Sequence, residues 1–288
     1  MKKKVILALS MMMLLTGCGN ISPDSITPVS REDGSGTRGA FVELFDIQEK
    51  DENGVKMDMT TDMAEITNST AVMLLTVTGN KNAIGYISMG SMNDAVKTLQ
   101  IDGVDATFDN IKNGSYQVAR PFHIATRADV SPEAEDFIHY ILSAEGQKIV
   151  EESGYISQGN TGAYKPSNAK GNVVVSGSSS VAPVVEKIKE AYEVVNHNVT
   201  IEMQQSDSTI GMNSLKEGMC DIGMASRELK DSELAAGLVP TVIAMDGIAV
   251  VVNHENPVDG LKREEVKAIY MGELDEWTEI PFYKEVIE

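Results

Sequence analysis

Residues 173–183 read VVVSGSSSVAP, in which a short apolar run leads into a turn of Ser and Gly and then into a helix start. From Val181 to Val195 apolar residues recur with the spacing i, i+3, i+4, i+7, which places them on one face of a helix. Pro183 fits the first helical turn, because its missing N–H is not needed there. Elsewhere short apolar runs also alternate with amphipathic helical patterns, which predicts an α/β fold.

Two other segments have the same design of strand, polar turn and helix start. They are the run at 201–203 with the turn at 206–209, and the run at 26–29 with the turn at 34–37. Helix N-termini present unpaired N–H groups and a positive dipole end, so they favour anions. A single Ser or Thr more often only caps a helix. Three such turns in one chain, with Arg31 beside one of them, favour an anion-binding site.

Composition excludes several classes of protein. The chain has 288 residues and a net charge of −19, which argues against binding of nucleic acid. Two Cys and four His give neither a disulfide framework nor a metal cluster, and the sequence predicts no metal and no cofactor. Residues 34–39 fit G-x-G-x-x-G, but the polar region at 49–62 does not continue a dinucleotide fold. Neither a P-loop nor a nucleophile elbow occurs, so a binding protein is favoured over an enzyme.

The N-terminal region favours export of the protein, and the region at 239–252 favours a boundary between lobes. Lys2, Lys3 and Lys4, an apolar stretch and Leu15-Thr16-Gly17-Cys18 predict a signal peptide at 1–17 with Cys18 lipidated, although an ordinary signal peptide is the alternative. The mature protein would then be anchored by lipid to the outside of the cell membrane. Cys220 is expected to be a small buried residue.

The remaining sequence predicts further regular elements. Residues 133–152 are typical of one long helix, and residues 239–244 and 248–252 are typical of two buried strands.

Four segments of the chain resemble signatures of a known family, the phosphate-binding proteins of Pst-type ABC importers. The segments are REDGSGTR at 31–38, GSSSVAP at 177–183, SDST at 206–209 and DIGMASRE at 221–228. The resemblance covers about residues 26–280 and implies a two-lobed periplasmic-binding-protein-like (type II) fold that closes over one inorganic phosphate. It also implies the permease subunits and cytoplasmic ATPase of an importer as partners, and a monomer.

The order of the segments differs from that of ordinary members, in which the serine-rich turn precedes the Gly-Ser-Gly-Thr turn. We interpret this as a circular permutation, in which residues 158–172 join the usual ends and residues 273–277 would precede residue 26. A truncated tandem or chimaeric product is the alternative. The expected lobes are 24–94 with 253–288, and 97–250, while the tail at 281–288 matches no known segment.

The resemblance also assigns the ligand site, residue by residue. One lobe would contribute Ser179, Ser180 and Ser208, and the other Arg31, Ser35, Gly36 and Thr37; Ser226, Thr209 and Asp33 are weaker candidates, with Asp33 expected to orient Arg31. Arg227 is assigned to the position where the best-known members have an aspartate that accepts the ligand's proton. Selectivity therefore stays open unless Asp33, Asp207 or Glu228 takes that role. The alternatives are a sulfate-like oxyanion, a surface sensor without transport, and an exported enzyme acting on phosphate esters.

Overall fold

The structure is a computed structural model that describes residues 22, 24–52 and 54–281. The expected signal peptide, Cys18 and residues 282–288 lie outside the described residues. Among the helices described, none has the length and apolarity needed to cross a membrane. The strands are β1 (Thr27–Arg31), β2 (Gln48–Lys50), β3 (Lys56–Asp58), β4 (Glu65–Thr67), β5 (Ala83–Ser88), β6 (Lys97–Thr98), β7 (Gln100–Ile101), β8 (Ala119–Thr126), β9 (Gly171–Ser178), β10 (Val199–Ser206), β11 (Ile222–Ala225), β12 (Val239–Val252) and β13 (Gly260–Leu261).

Helices separate most of these strands, as the sequence predicts. They are α1 (Gly36–Leu44), α2 (Thr70–Gly79), α3 (Phe108–Lys112), α4 (Pro132–Ile141), α5 (Ala144–Glu152), α6 (Ala182–Val195), α7 (Ser208–Lys216), α8 (Asp231–Ala235) and α9 (Arg263–Met271), with short 3-10 turns at Met89–Ser91 and Trp277–Glu279. The single helix expected at 133–152 is wrong. Ser143 accepts a hydrogen bond from the N–H of Gly146 at 3.1 Å. This bond caps the start of a second helix, α5, so the expected helix is divided in two.

One nine-stranded sheet runs through the molecule in the order β10-β9-β11-β8-β12-β5-β1-β4, with β6 also pairing with β12. Strand β12 pairs with β8 along residues 239–247 and with β5 along 248–252. The two strands expected at 239–244 and 248–252 are therefore one continuous strand that passes between the two halves of the sheet. The α/β fold class with two lobes is confirmed.

Apolar side chains form two large buried clusters that divide along this sheet. The first draws on residues 26–118 and 248–280, and the second on residues 122–244. They meet where Ala119 pairs with Gly247, on β8 and β12. We call the first half the arginine lobe (residues 24–118 and 248–281) and the second the serine lobe (residues 119–247). A smaller cluster beneath α7 contains Cys220, which is buried as expected.

The division between the lobes differs from the expected boundary at residues 94–97. Residues 97–118 pack with the arginine lobe, where Tyr116 donates a hydrogen bond to the carbonyl of Ile248 at 2.8 Å. Strand β6 also pairs with β12 at Val251 and Val252. The strands in this stretch are only two residues long, so they carry no periodic apolar pattern from which their lobe could be assigned.

A buried ion pair lies at the junction of the lobes. Arg120 Nη2 is 3.2 Å from Asp246 Oδ2, and Ser88 Oγ donates to Asp246 Oδ1 at 2.8 Å. Burial raises the pKa of Asp246 to about 6, although Arg120 opposes this shift. An unpaired buried charge would be costly here. Strand β8 therefore depends on Asp246 of β12, and β12 depends on Arg120 of β8.

The segment at 158–172 packs against α4 and α5 by hydrogen bonds. The hydroxyl of Tyr164 donates to Asp136 Oδ2 at 2.8 Å, and its backbone N–H donates to the carboxylate of Glu145 at 2.8 Å. The N–H of Ala144 donates to the carbonyl of Gly162 at 2.8 Å. The segment therefore has a specific place on the serine lobe, between the end of α5 and β9.

Candidate anion-binding site

Arg31 is the last residue of β1 and its side chain crosses to the serine lobe. The residue is 2% exposed, and Nη2 donates to Ser179 Oγ at 3.1 Å. Nε and Nη2 also donate to the two carboxylate oxygens of Glu32, at 2.8 and 2.7 Å. This bidentate pair holds the guanidinium plane in one orientation while one of its N–H groups faces Ser179.

The expected role of Asp33 as the partner of Arg31 is wrong. Its side chain is 95% exposed and forms an ion pair with Arg38 at 2.7 Å. Asp33 lies in the turn between β1 and α1 and points to solvent, whereas Glu32 is the residue that pairs with the guanidinium. The sequence signal for Glu32 is weak, because either acidic residue beside Arg31 could reach it.

The N-terminus of α1 brings Ser35, Gly36 and Thr37 against the serine lobe. Ser35 caps the helix by accepting a hydrogen bond from the N–H of Arg38 at 3.3 Å. The hydroxyls of Thr37 and Ser180 share a hydrogen bond of 2.8 Å between the lobes. A Cβ on Gly36 would collide with the hydroxyls of Ser208 and Ser226, so glycine permits this close approach.

In the serine lobe, the ends of parallel strands β9, β10 and β11 bring serines together. Ser178 Oγ donates to Ser226 Oγ at 2.9 Å, and the N–H of Ser226 donates to Ser208 Oγ at 3.1 Å. Gly177 has a φ of +134° and a Cβ there would collide with the carbonyl of Met224, so only glycine suits this position. The carboxyl ends of these strands and the starts of α6 and α7 thus meet at one edge of the sheet.

Arg227 does not join the serines. Its guanidinium forms a bidentate ion pair with Glu233, at 2.8 and 2.9 Å, and lies 3.4 Å from the hydroxyl of Thr209. Burial raises the pKa of Glu233, but the hydrogen bonds from Arg227 and the N–H of Lys230 outweigh it and hold the pKa below its usual value. Arg227 instead lines a cleft of about 760 Å³ between the lobes, and the fully buried Ser226 is the residue that lies among the other serines.

Thr70 is a residue of this site that the sequence interpretation missed. It begins α2, is 6% exposed, and its hydroxyl lies 3.3 Å from Ser180 Oγ and 3.5 Å from Arg31 Nη1. Ser69 caps the helix before it. The signal was the polar run Thr-Asn-Ser-Thr before an apolar helix, but it contains no glycine and follows a strand of only three residues. We call the assembled set of buried polar residues the polar crevice: Arg31, Thr37, Thr70, Ser178, Ser179, Ser180, Ser208 and Ser226.

The carboxylates considered as proton acceptors lie outside these contacts. Asp207 caps α7 by accepting a hydrogen bond from the N–H of Ile210 at 2.8 Å. The carboxylate of Glu228 is 76% exposed and lies 3.4 Å from His123, where burial lowers the pKa of the histidine despite this carboxylate. In the described residues no group of His, Cys, Asp and Glu could hold a metal ion. The polar crevice therefore offers one guanidinium and a set of hydroxyl and backbone donors, which suits a small oxyanion.

Comparison with known proteins gives consistent matches along the chain. The family described as the PBP superfamily domain matches residues 21–145 and 162–286. Phosphate-binding protein PstS 2 of Streptococcus agalactiae is 53% identical over 272 residues, which cover 93% of each chain. The crystal structure of a phosphate ABC transporter phosphate-binding protein from Streptococcus pneumoniae is 42% identical, with a TM-score of 0.69, over 89% of this chain and 99% of the other. Phosphate-binding protein PstS of Staphylococcus aureus is 34% identical over 129 residues, 42% of this chain and 39% of the relative.

Proposed function

Because the chain belongs to the PBP superfamily and, within it, to the phosphate-binding proteins, we propose that it captures inorganic phosphate outside the cytoplasm and delivers it to an ABC importer. The observation that carries the proposal is the contact of 3.1 Å between Arg31 Nη2 and Ser179 Oγ. It brings a cation from one lobe and a helix start from the other to the same point. A phosphate there would be surrounded by donors from both lobes.

The donors of the polar crevice are sufficient for useful affinity. Micromolar binding corresponds to about −8 kcal/mol. Hydrogen bonds to charged groups contribute about 1.5–3 kcal/mol each, before the costs of association. Arg31 would bind two phosphate oxygens, with Ser35, Gly36 and Thr37 donating from one lobe and Ser179, Ser180, Ser208 and Ser226 from the other. The net charge of −19 opposes capture at long range, so these short-range contacts must dominate.

Binding would be coupled to closure of the two lobes about the strands β8 and β12. Phosphate that contacts both lobes favours the closed state, because it makes all its contacts only there. The closed protein would then dock on the permease subunits of the importer. After removal of residues 1–17, Cys18 would carry the lipid that keeps a monomeric protein at the outer side of the cell membrane.

The chain order is proposed to be a circular permutation. The relative from Streptococcus agalactiae aligns over 93% of both chains, so this order is shared with a full-length protein. The relative from Staphylococcus aureus aligns in one stretch that covers only 42% of this chain, as expected when two proteins share segments in a different order. The hydrogen bonds of Tyr164 give the joining segment at 158–172 a specific place.

The test is titration calorimetry of the chain without residues 1–18, with phosphate and sulfate in parallel. We expect phosphate binding that weakens at least about tenfold in Arg31→Ala, because a charge-assisted contact is lost. Arg227→Ala is the matched control and is expected to keep the affinity, since Arg227 is paired with Glu233. Tight sulfate binding without phosphate binding would favour the sulfate-like alternative, and turnover of a chromogenic phosphate ester would favour an enzyme.

A further inference from the structure

Thr70 lies where the arginine lobe meets the serine lobe. It is on helix α2, and none of the residues assigned to the site from the sequence lies on that helix. It is the first residue of α2. Its hydroxyl is within 3.5 Å of Arg31 Nη1 and Ser179 Oγ, and within 3.3 Å of Ser180 Oγ. All three neighbours are residues expected to bind the oxyanion. Thr70 is therefore surrounded by ligand-binding groups from both lobes.

The helix itself does not require this hydroxyl. Ser69 already caps α2 by accepting a hydrogen bond from the N–H of Val72 at 3.2 Å. A β-branched residue has a lower helix propensity than alanine or leucine, so threonine at this position is not explained by helix formation. Thr70 is nevertheless 6% exposed, and the buried hydroxyl needs polar partners. Those partners are the site residues, which ties the hydroxyl to the site rather than to the fold of α2.

We propose that Thr70 is a ligand-binding residue, whose hydroxyl donates a hydrogen bond to an oxygen of the bound phosphate. This inference rests on the proposed function and adds to it a fourth helix start, from α2. Arg31 Nη1, Ser179 and Ser180 would then bind the same anion from the other sides. Because Thr70 belongs to the arginine lobe and Ser179 and Ser180 belong to the serine lobe, its contacts with these two serines need the lobes to be close together.

The experiment compares phosphate affinities of three variants of the chain without residues 1–18 by calorimetry. Thr70→Val keeps the shape and β-branching but removes the hydroxyl, and we expect its Kd to rise at least about tenfold. Thr70→Ser keeps the hydroxyl and is expected to stay within about threefold of the wild type. The control is Thr78→Val on the same helix, because the Thr78 hydroxyl donates within α2 to the carbonyl of Leu74 at 2.8 Å and should not affect Kd.

The outcomes separate this inference from the proposed function. Wild-type Kd in Thr70→Val, with phosphate bound by the wild type, would overturn the role of Thr70 and leave the function standing. If the wild type binds sulfate instead of phosphate, the function fails, and the same variants titrated with sulfate still test Thr70. A purely structural role would lower the unfolding midpoint of the ligand-free Thr70→Val protein without raising Kd. Should that variant not fold, an unchanged Kd in Thr70→Ala would overturn the inference and a raised Kd would support it.

Discussion

Ser226 is the residue whose position departs furthest from its sequence-based ranking. It was a weaker candidate than Arg227, yet it accepts a hydrogen bond from Ser178 and donates its N–H to Ser208. Both residues follow the end of β11 at Ala225 and lie beside Gly36, so their polar partners decide which of them belongs to the polar crevice. The buried polar serine faces it, and the longer arginine reaches the carboxylate of Glu233.

We expect Ser226→Ala to weaken phosphate binding at least about tenfold, since a hydrogen bond to a charged group contributes about 1.5–3 kcal/mol. Titration calorimetry measures the change. The control is Ser214→Ala, which removes a hydroxyl six residues after the start of α7 at Ser208 and should leave Kd unchanged. Equal affinities of Ser226→Ala and the wild type would remove Ser226 from the ligand contacts.

The residues show what a sequence can predict of such a site. Ser179, Ser180, Ser208 and Thr37 were predictable because each belongs to a polar turn between an apolar run and a helix start, and the structure brings them together. The orientation of Asp33 and Arg227 was not, because it depends on which nearby group each charge pairs with. Those partners, Arg38 and Glu233, become neighbours only in the fold.

At the scale of elements, buried polar networks hold the helices of the serine lobe together. Asp136 on α4 is 3% exposed and accepts hydrogen bonds from the hydroxyl of Tyr192 at 2.6 Å and from Asn196 at 3.0 Å. Tyr164, from the segment at 158–172, donates a third at 2.8 Å. One carboxylate therefore joins α4, α6 and the segment that would close the permuted chain. The sequence predicted α6 and this segment, but not a carboxylate that links them.

Asp136 should make the stability of the serine lobe sensitive to acid. Burial raises its pKa, but the hydrogen bonds from Tyr192, Tyr164 and Asn196 outweigh burial and hold the pKa below its ordinary value of 3.8. When the pKa of a carboxyl group is lower in the folded than in the unfolded protein, its stabilisation is complete above the pKa of the unfolded state. The stabilisation is lost as the pH falls through the pKa of the folded state. The ionised carboxylate therefore stabilises the fold at neutral pH and ceases to do so in strong acid.

We expect Asp136→Asn to lower the free energy of unfolding by about 1–3 kcal/mol at pH 7, with the difference shrinking below about pH 4. Urea unfolding at pH 7 and at pH 3 measures the free energy of unfolding of both proteins. Asp129→Asn, at a carboxylate that is 86% exposed, is the control and should have no comparable effect. A difference that persists unchanged at pH 3 would show that shape rather than charge is what Asp136 contributes.

At the scale of the whole molecule, the two lobes meet through backbone contacts as well as side chains. The carbonyl of Gly34 accepts hydrogen bonds from the N–H and the hydroxyl of Thr209, at 3.2 and 3.1 Å. These bonds join the turn before α1 to the start of α7. A Cβ on Gly34 would lie 2.5 Å from Oδ1 of Asp207, whose carboxylate is fixed as the cap of α7. Glycine at 34 is therefore required by the contact between the two lobes rather than by either lobe alone.

Gly34→Ala should consequently hinder closure without unfolding the lobes. We expect phosphate affinity to fall at least about tenfold, because phosphate would no longer reach donors on both lobes together. Small-angle X-ray scattering should show a smaller decrease in radius of gyration on addition of phosphate than in the wild type. Gly39→Ala is the matched control, since the nearest atom to its Cβ, Arg227 Cδ, would lie 3.9 Å away and alanine favours the helix. Wild-type affinity and compaction in Gly34→Ala would mean that phosphate is held without this contact between the lobes.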